Sequence, residues 1–299
     1  MNRRDFVRNG VGTLAGLSLA GSLQGRTVKA EVIDASPKKR IGIQLYSLRD
    51  DMGKDPDATL KEVARIGYSE VEGYGYGGND FFGRTPSDFK SFVESLGMKM
   101  TSVHTGLPLF HDNSPKALDT TKRIMENSKI GGCKWVTQAG YPGGKYTKLD
   151  EVKRLADQFN QAGELAKTFG LKFAYHNHRE EFRAIENQIP YQKYLDWTDQ
   201  GLVSFQMDIG HVANEMADYL TYLQKYPKRF GCLHVRDTNI FTKVAVEFGD
   251  GDVRMKEVFE LFNHAGVEDF YVEQEEYNYA PIESLRMCYD YLAKSSFVQ

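Results

Sequence analysis

Cysteine is scarce in this 299-residue chain, which has only Cys133, Cys232 and Cys288. None falls in a Cys-x-x-Cys spacing, and three isolated thiols imply no disulfide framework. A basic surplus is also missing. Without its first 30 residues the chain carries 33 basic and 40 acidic residues, a formal net charge of −7. An acidic domain is no electrostatic trap for nucleic acid, so no nucleic-acid partner is expected. Beyond the N-terminus no hydrophobic run is long enough to span a bilayer, so the mature chain is expected to stand free of the membrane. No Gly-x-Gly-x-x-Gly follows the first strand-like segment, which removes the main signature of a dinucleotide-binding sheet.

The start of the chain is unlike the rest. Asn2-Arg3-Arg4-Asp5-Phe6-Val7-Arg8 is a twin-arginine pattern, followed by a Gly/Ala/Leu/Val run from Val11 to about Leu23. That run is too short and too broken by glycine to be a stable membrane helix, and reads as an export signal over residues 1–30. A Pro/Lys/Arg-containing linker occupies residues 31–40, and one domain is expected over 41–299. The expected location is the periplasm.

From Ile41 onward a cycle repeats. Strand-like segments of alternating parity fall at Ile41–Tyr46, Tyr68–Gly73, Met98–His104, Lys134–Gln138, Leu171–His176, Leu202–Asp208, Phe230–Arg236 and Asp269–Gln274. Between them lie helical patterns, among them 115–130, 149–169, 214–226 and 253–265. Gly67, Gly97, Gly132, Gly170 and Gly266 each separate a helix from the next strand, and Pro often opens a helix. Eight strand–helix units predict an α/β fold, a single-domain (β/α)8 TIM barrel. A doubly wound sheet usually needs fewer strands.

In such a barrel the chemistry gathers at the strand C-termini. Gln44, Glu72, His104 and Gln138 close the first four strands. His176 and His178 close the fifth, Asp208 the sixth, His234 and Arg236 the seventh, and Glu273 and Glu275 the eighth. Parity is informative. Leu233 and Val235 face helices, so His234 and Arg236 face inward, and the same alternation turns His176, Asp208 and Glu273 inward. A mixed imidazole and carboxylate set suits a divalent metal of the Mn, Mg, Co or Zn type. Tyr74, Tyr76, Phe81 and Phe82, set among glycines, suit either the wall of a sugar-sized pocket or simple loop packing.

Several of these motifs together resemble the xylose isomerase-like barrel superfamily, which includes sugar and sugar-phosphate isomerases and epimerases and inosose dehydratases. They are Ser102-Val103-His104, Tyr175-His176-Asn177-His178-Arg179-Glu180-Glu181-Phe182, Met207-Asp208-Ile209-Gly210-His211, Leu233-His234-Val235-Arg236-Asp237 and Tyr271-Val272-Glu273-Gln274-Glu275. The resemblance implies a divalent metal held by Glu, Asp, His and Glu from strands five to eight. Carried over, the ligands are Asp208, His234 and Glu273. On strand five His176 stands where the family has Glu, and Glu181 is the favoured fourth ligand. His176, His178, Glu181 and Glu273 are the candidate catalytic groups. Glu72, His104, Gln138, His211 and Arg236 are the candidate substrate contacts. The implied activity is a metal-dependent isomerase or epimerase acting on a small sugar or keto-sugar. A lyase, dehydratase or hydratase on 3-keto-glycosides is the alternative within enzymes. A non-catalytic periplasmic sugar-binding barrel is the alternative outside them. Oligomeric state is left open.

Overall fold

Short strands, each with one face of large apolar residues, have to close on themselves or be covered by helices, and here both occur. The computed structural model describes residues 40–112, 114–140 and 147–298. The expected export signal and most of the linker lie outside them. The strands are β1 (Gly42–Gln44), β2 (Glu70–Gly73), β3 (Lys99–Thr105), β4 (Trp135–Ala139), β5 (Lys172–His176), β6 (Val203–Asp208), β7 (Cys232–Val235), β8 (Asp237–Asn239), β9 (Val244–Val246) and β10 (Asp269–Val272). All but β8 and β9 form a closed barrel in chain order, with β10 pairing back to β1 in parallel. This is the (β/α)8 barrel that the sequence predicts.

Local chemistry sets where the helices begin. At Pro56–Ile66, Pro86–Ser95 and Pro115–Ile130 a proline takes the first helical position, and Asp55, Thr85 or Ser114 accepts a backbone N–H as the N-cap. Each pairing satisfies a donor the helix start would otherwise leave free, and proline has no such donor to lose. At the other end, Gly266 (φ 89°) terminates Phe262–Ala265 in the left-handed region, where a side chain would be strained.

Val71, Val103, Phe173, Phe205, Leu233 and Val272 point outward and are buried beneath the helices. Inside the barrel floor sits a second cluster, Trp135, Ala174, Cys232 and Tyr271. Trp135 Nε1 donates to Asp269 Oδ2 at 2.7 Å, and Lys134 Nζ meets the same oxygen at 2.6 Å. Tyr271 and Thr101 share a hydroxyl–hydroxyl bond of 2.8 Å.

Three departures from the sequence reading have local causes. The helix expected at 214–226 is two, Ile209–Asn214 and Tyr219–Lys225. Asp208 accepts from His211 N and starts the first early, while Asp218 caps the second. The helix expected at 253–265 is divided at Leu261. An antiparallel hairpin, β8–β9, follows β7. It is anchored by Asp237, whose carboxylate accepts from the N–H groups of Thr238, Gly249, Gly251 and Val253. Among the described residues no helix is long and apolar enough to cross a membrane.

Candidate active site

Four strand ends deliver one polar group each to a common point at the barrel mouth. His176 is the last residue of β5 and Asp208 the last of β6; His234 lies within β7, and Glu273 directly follows β10. Register brings them together: Asp208 is paired with His234, and His176 with Gln206. One donor atom from each of His176, Asp208, His234 and Glu273 lies within 4.8 Å of the others, and all four residues are buried. His104, His176 and His234 form a second, overlapping group by the same measure.

Glu72 is the hub beneath this group. One carboxylate oxygen accepts from Ser102 Oγ at 2.5 Å and Gln206 Nε2 at 2.7 Å. The other accepts from Gln44 Nε2 at 2.8 Å, is bonded to His234 Nε2, and lies 3.2 Å from His104 Nε2. The opposite nitrogen of His234 is 2.7 Å from Glu273 Oε2. Arg236 completes the network with ion pairs to Glu273 at 2.6 Å, Asp208 at 3.1 Å and Glu275 at 3.1 Å. Gly210 gives that side chain its path, because a Cβ there would lie 2.7 Å from Arg236 Cδ.

The electrostatics divide the histidines. Burial outweighs every other influence at His176 and His211 and holds both well below the usual imidazole range, as neutral rings. Burial also disfavours charge on His234, but the carboxylates of Glu273 and Glu72 overcome it and raise its pKa to about 10. Asp208 is pushed up to about 6 by burial, against the pull of Arg236. Glu273 is held low, because His234 and Arg236 outweigh its desolvation.

The donor set fits a divalent cation. It offers two carboxylates and two imidazoles on four neighbouring strands, a mixture that suits first-row metals. His176 Nδ1 and Asp208 Oδ2 are buried without a hydrogen-bond partner; Arg236 is close to the latter but off the line of a hydrogen bond. Orphaned buried polar atoms are costly, and a cation would satisfy both.

The other expected residues fall in three places. His211 and His178 stand at the mouth, their ring centroids 5.2 Å apart, and both nitrogens of His211 are unpartnered. His104 and Glu72 lie deeper, tied into the hub. Glu181 and Gln138 do not join the group. Glu181 accepts from the Tyr175 hydroxyl and from His178 N, which turns it to the outer side of β5. Gln138 has the parity opposite to Thr137, whose hydroxyl meets Ser102 inside the barrel. Its amide is spent on Leu107 N and Gly140 O. Sequence reasoning missed Gln206, although it shares the inward parity of Asp208, and it missed the part played by Gly210.

A model of the xylose isomerase-like TIM barrel family matches residues 60–290. The chain belongs to that family. It is 31% identical to a sugar phosphate isomerase/epimerase from Parabacteroides distasonis, with a TM-score of 0.74 over 87% of this chain and 100% of the other. An inosose dehydratase of Clostridium perfringens is 26% identical in a 264-residue alignment that covers 76% of this chain and 86% of that protein. The IolI protein, solved with a bound zinc atom, shares the fold at 15% identity, with a TM-score of 0.67 over 87% of this chain and 98% of that one. Members of the family are thus enzymes on small sugar-like substrates, both isomerases or epimerases and dehydratases.

Proposed function

We propose that this protein is a divalent-metal-dependent enzyme that moves a proton on the carbon beside the carbonyl of a sugar or keto-sugar, as an isomerase or epimerase. The observation that carries this reading is the buried meeting of His176, Asp208, His234 and Glu273 within 4.8 Å at the mouth of the barrel. These four would hold the cation, with Glu72 fixing the far nitrogen of His234, the usual outer support of a ligating imidazole. A bound Mn, Mg, Co or Zn ion would draw electron density from the sugar carbonyl and acidify the neighbouring C–H. His211 is neutral, with both ring nitrogens free, and is placed to take that proton. His178 beside it is placed to return the proton at the adjacent carbon. Arg236, steadied by Glu273 and Glu275, presents a cation to the substrate oxygens. The twin-arginine segment supports action in the periplasm, on an unphosphorylated sugar.

A second reading is a lyase or dehydratase on a keto-sugar or 3-keto-glycoside. Two observations favour it. One relative is an inosose dehydratase, similar over most of its length. In addition, the free imidazoles lie together after β5 and β6, while Glu273 across the site is tied to His234 and Arg236. Epimerisation needs bases on two faces, whereas elimination of a β leaving group needs one. Deuterium uptake from D₂O into a panel of free and keto-sugars, followed by product analysis, tests both readings. Uptake that stops with EDTA is expected, and loss of water or alcohol from the labelled product would select the lyase. Absence of uptake across the panel in metal-loaded protein would favour the sugar-binding barrel instead.

A further inference from the structure

The loop between β2 and the helix Pro86–Ser95 walls a cleft that the metal group does not use. Its volume is about 320 Å³, at the small end of the roughly 300–1,000 Å³ usual for small-ligand sites. Tyr74 and Phe82 give it an aromatic side, Asn79 and Asp80 a polar side, and Met52 and Gly53 a facing wall. The aromatic side is built firmly: Tyr74 meets Tyr46 and Phe82 edge-on, each at 5.3 Å between centroids. Asp80 uses one carboxylate oxygen to accept from Gly83 N at 2.8 Å.

Two runs of hydrogen bonds tie the wall of the cleft to residues around the metal group. Tyr76, in its wall, donates its N–H to the carbonyl of His104 at 3.4 Å. The Tyr74 hydroxyl reaches the carbonyl of Arg49, whose guanidinium reaches the carbonyl of Glu275, and Glu275 holds Arg236.

Two glycines carry the inference. Gly75 has a backbone reason to be glycine, a φ of 64°. Gly53 and Gly77 have none: neither has positive φ, and a Cβ built on either meets nothing within 4 Å. Gly53 even lies in the helix Arg49–Lys54, where glycine is among the poorest residues. Neither packing nor backbone geometry asks for glycine at these two positions, yet a side chain at either would take space beside the cleft.

We propose that the cleft is a subsite for a second sugar ring, so that the substrate is a glycoside or disaccharide derivative. Its reacting ring lies on the metal group, and its neighbour lies against Tyr74 and Phe82. Aromatic faces suit the C–H side of a pyranose, and Asn79 and Asp80 suit its hydroxyls. The inference rests on the sugar reading above, selects the glycosides among the substrates named there, and assigns the second ring its place.

The test is calorimetric binding of glucose, galactose and their α- and β-linked disaccharides to wild type, Gly77→Trp and Gly53→Leu. Thermal melting confirms that each variant is folded, and metal content is measured on the same samples. At least one disaccharide should bind wild type about tenfold more tightly than either monosaccharide, and both filled variants should bring that ratio to within about twofold of one. An unfilled-cleft ratio already near one, no binding of any sugar, or a preference that survives in both folded variants would overturn the proposal. A metal-free wild type that keeps the disaccharide preference would sink the metal reading and leave the cleft standing. A metal-loaded wild type without the preference would do the reverse.

Discussion

The two ends of the barrel treat their buried ionisable groups differently. At the floor, Asp269 is matched by Lys134 and Trp135, Glu70 by Arg40, and Tyr271 by Thr101. At the mouth, His176 Nδ1, Asp208 Oδ2 and both nitrogens of His211 are left without hydrogen-bond partners. Both ends come from the same eight strands, so the difference lies in side-chain choice. Saturated polar groups hold a fold together, whereas unsatisfied ones in a buried site mark where something else is meant to bind.

Substitutions at the two ends should therefore separate function from stability. The largest effect is expected at the mouth: His211→Ala should lower the rate of proton exchange roughly 10²–10⁴-fold, with metal content and melting temperature little changed. Deuterium-exchange rates and melts on the same preparations check this. At the floor, Asp269→Ala should leave exchange intact but cost about 2–3 kcal/mol of stability, because buried partners lose their acceptor; a third of the Lys134 side chain is exposed, which keeps the figure low. Denaturant titration reads that loss.

Two glycines sharpen the contrast at a smaller scale. A Cβ on Gly231, at the floor, would lie 2.2 Å from Trp135 Cη2 and 2.6 Å from Ser204 Oγ. Gly231→Ala should thus destabilise by about 1–3 kcal/mol through overpacking. At the mouth a Cβ on Gly210 meets the Arg236 side chain first, at 2.7 Å, so Gly210→Ala should slow exchange more than it lowers stability. If both variants lose stability equally, the division between the ends is wrong.

The smallest effect is a pH profile. In EDTA-treated protein, His104, His176 and His211 are held low by burial. The unfolded chain takes up their protons first, so stability should rise with pH up to about 6.5. Asp208, raised to about 6, and Glu70, Glu181 and Asp237, also raised by burial, oppose this over the acid range, where Glu72 and Glu273, held low by their partners, add to it. His234 acts the other way: its contribution is complete below 6.5 and fades as pH rises toward about 10. Melting temperature should peak near pH 6.5. A melting temperature that climbs steadily to pH 9 would contradict the assigned charge states.

The barrel was legible because period-two parity and helix-ending glycines recur along the whole chain. The same parity placed His176, Asp208, His234 and Glu273 inward. Two residues escaped it for physical reasons. Gln138 is a candidate substrate contact because it closes a strand, but Trp135 fills the barrel floor, and alternation from it turns Gln138 outward. Glu181 lies in the short turn Glu180–Phe182, beyond any strand period. Its direction is set by the Tyr175 hydroxyl and His178 N, contacts that spacing alone does not encode. The β8–β9 hairpin was hidden likewise, since its anchor is the distant set of N–H groups around Asp237.

The central claim is that His176, and not Glu181, completes a metal site with Asp208, His234 and Glu273. Metal stoichiometry of purified wild type, His176→Ala and Glu181→Ala tests it most directly. The account predicts near-stoichiometric divalent metal in wild type and Glu181→Ala, and its loss in His176→Ala. Metal retained in His176→Ala but lost in folded Glu181→Ala would contradict it, as would a metal-free wild type.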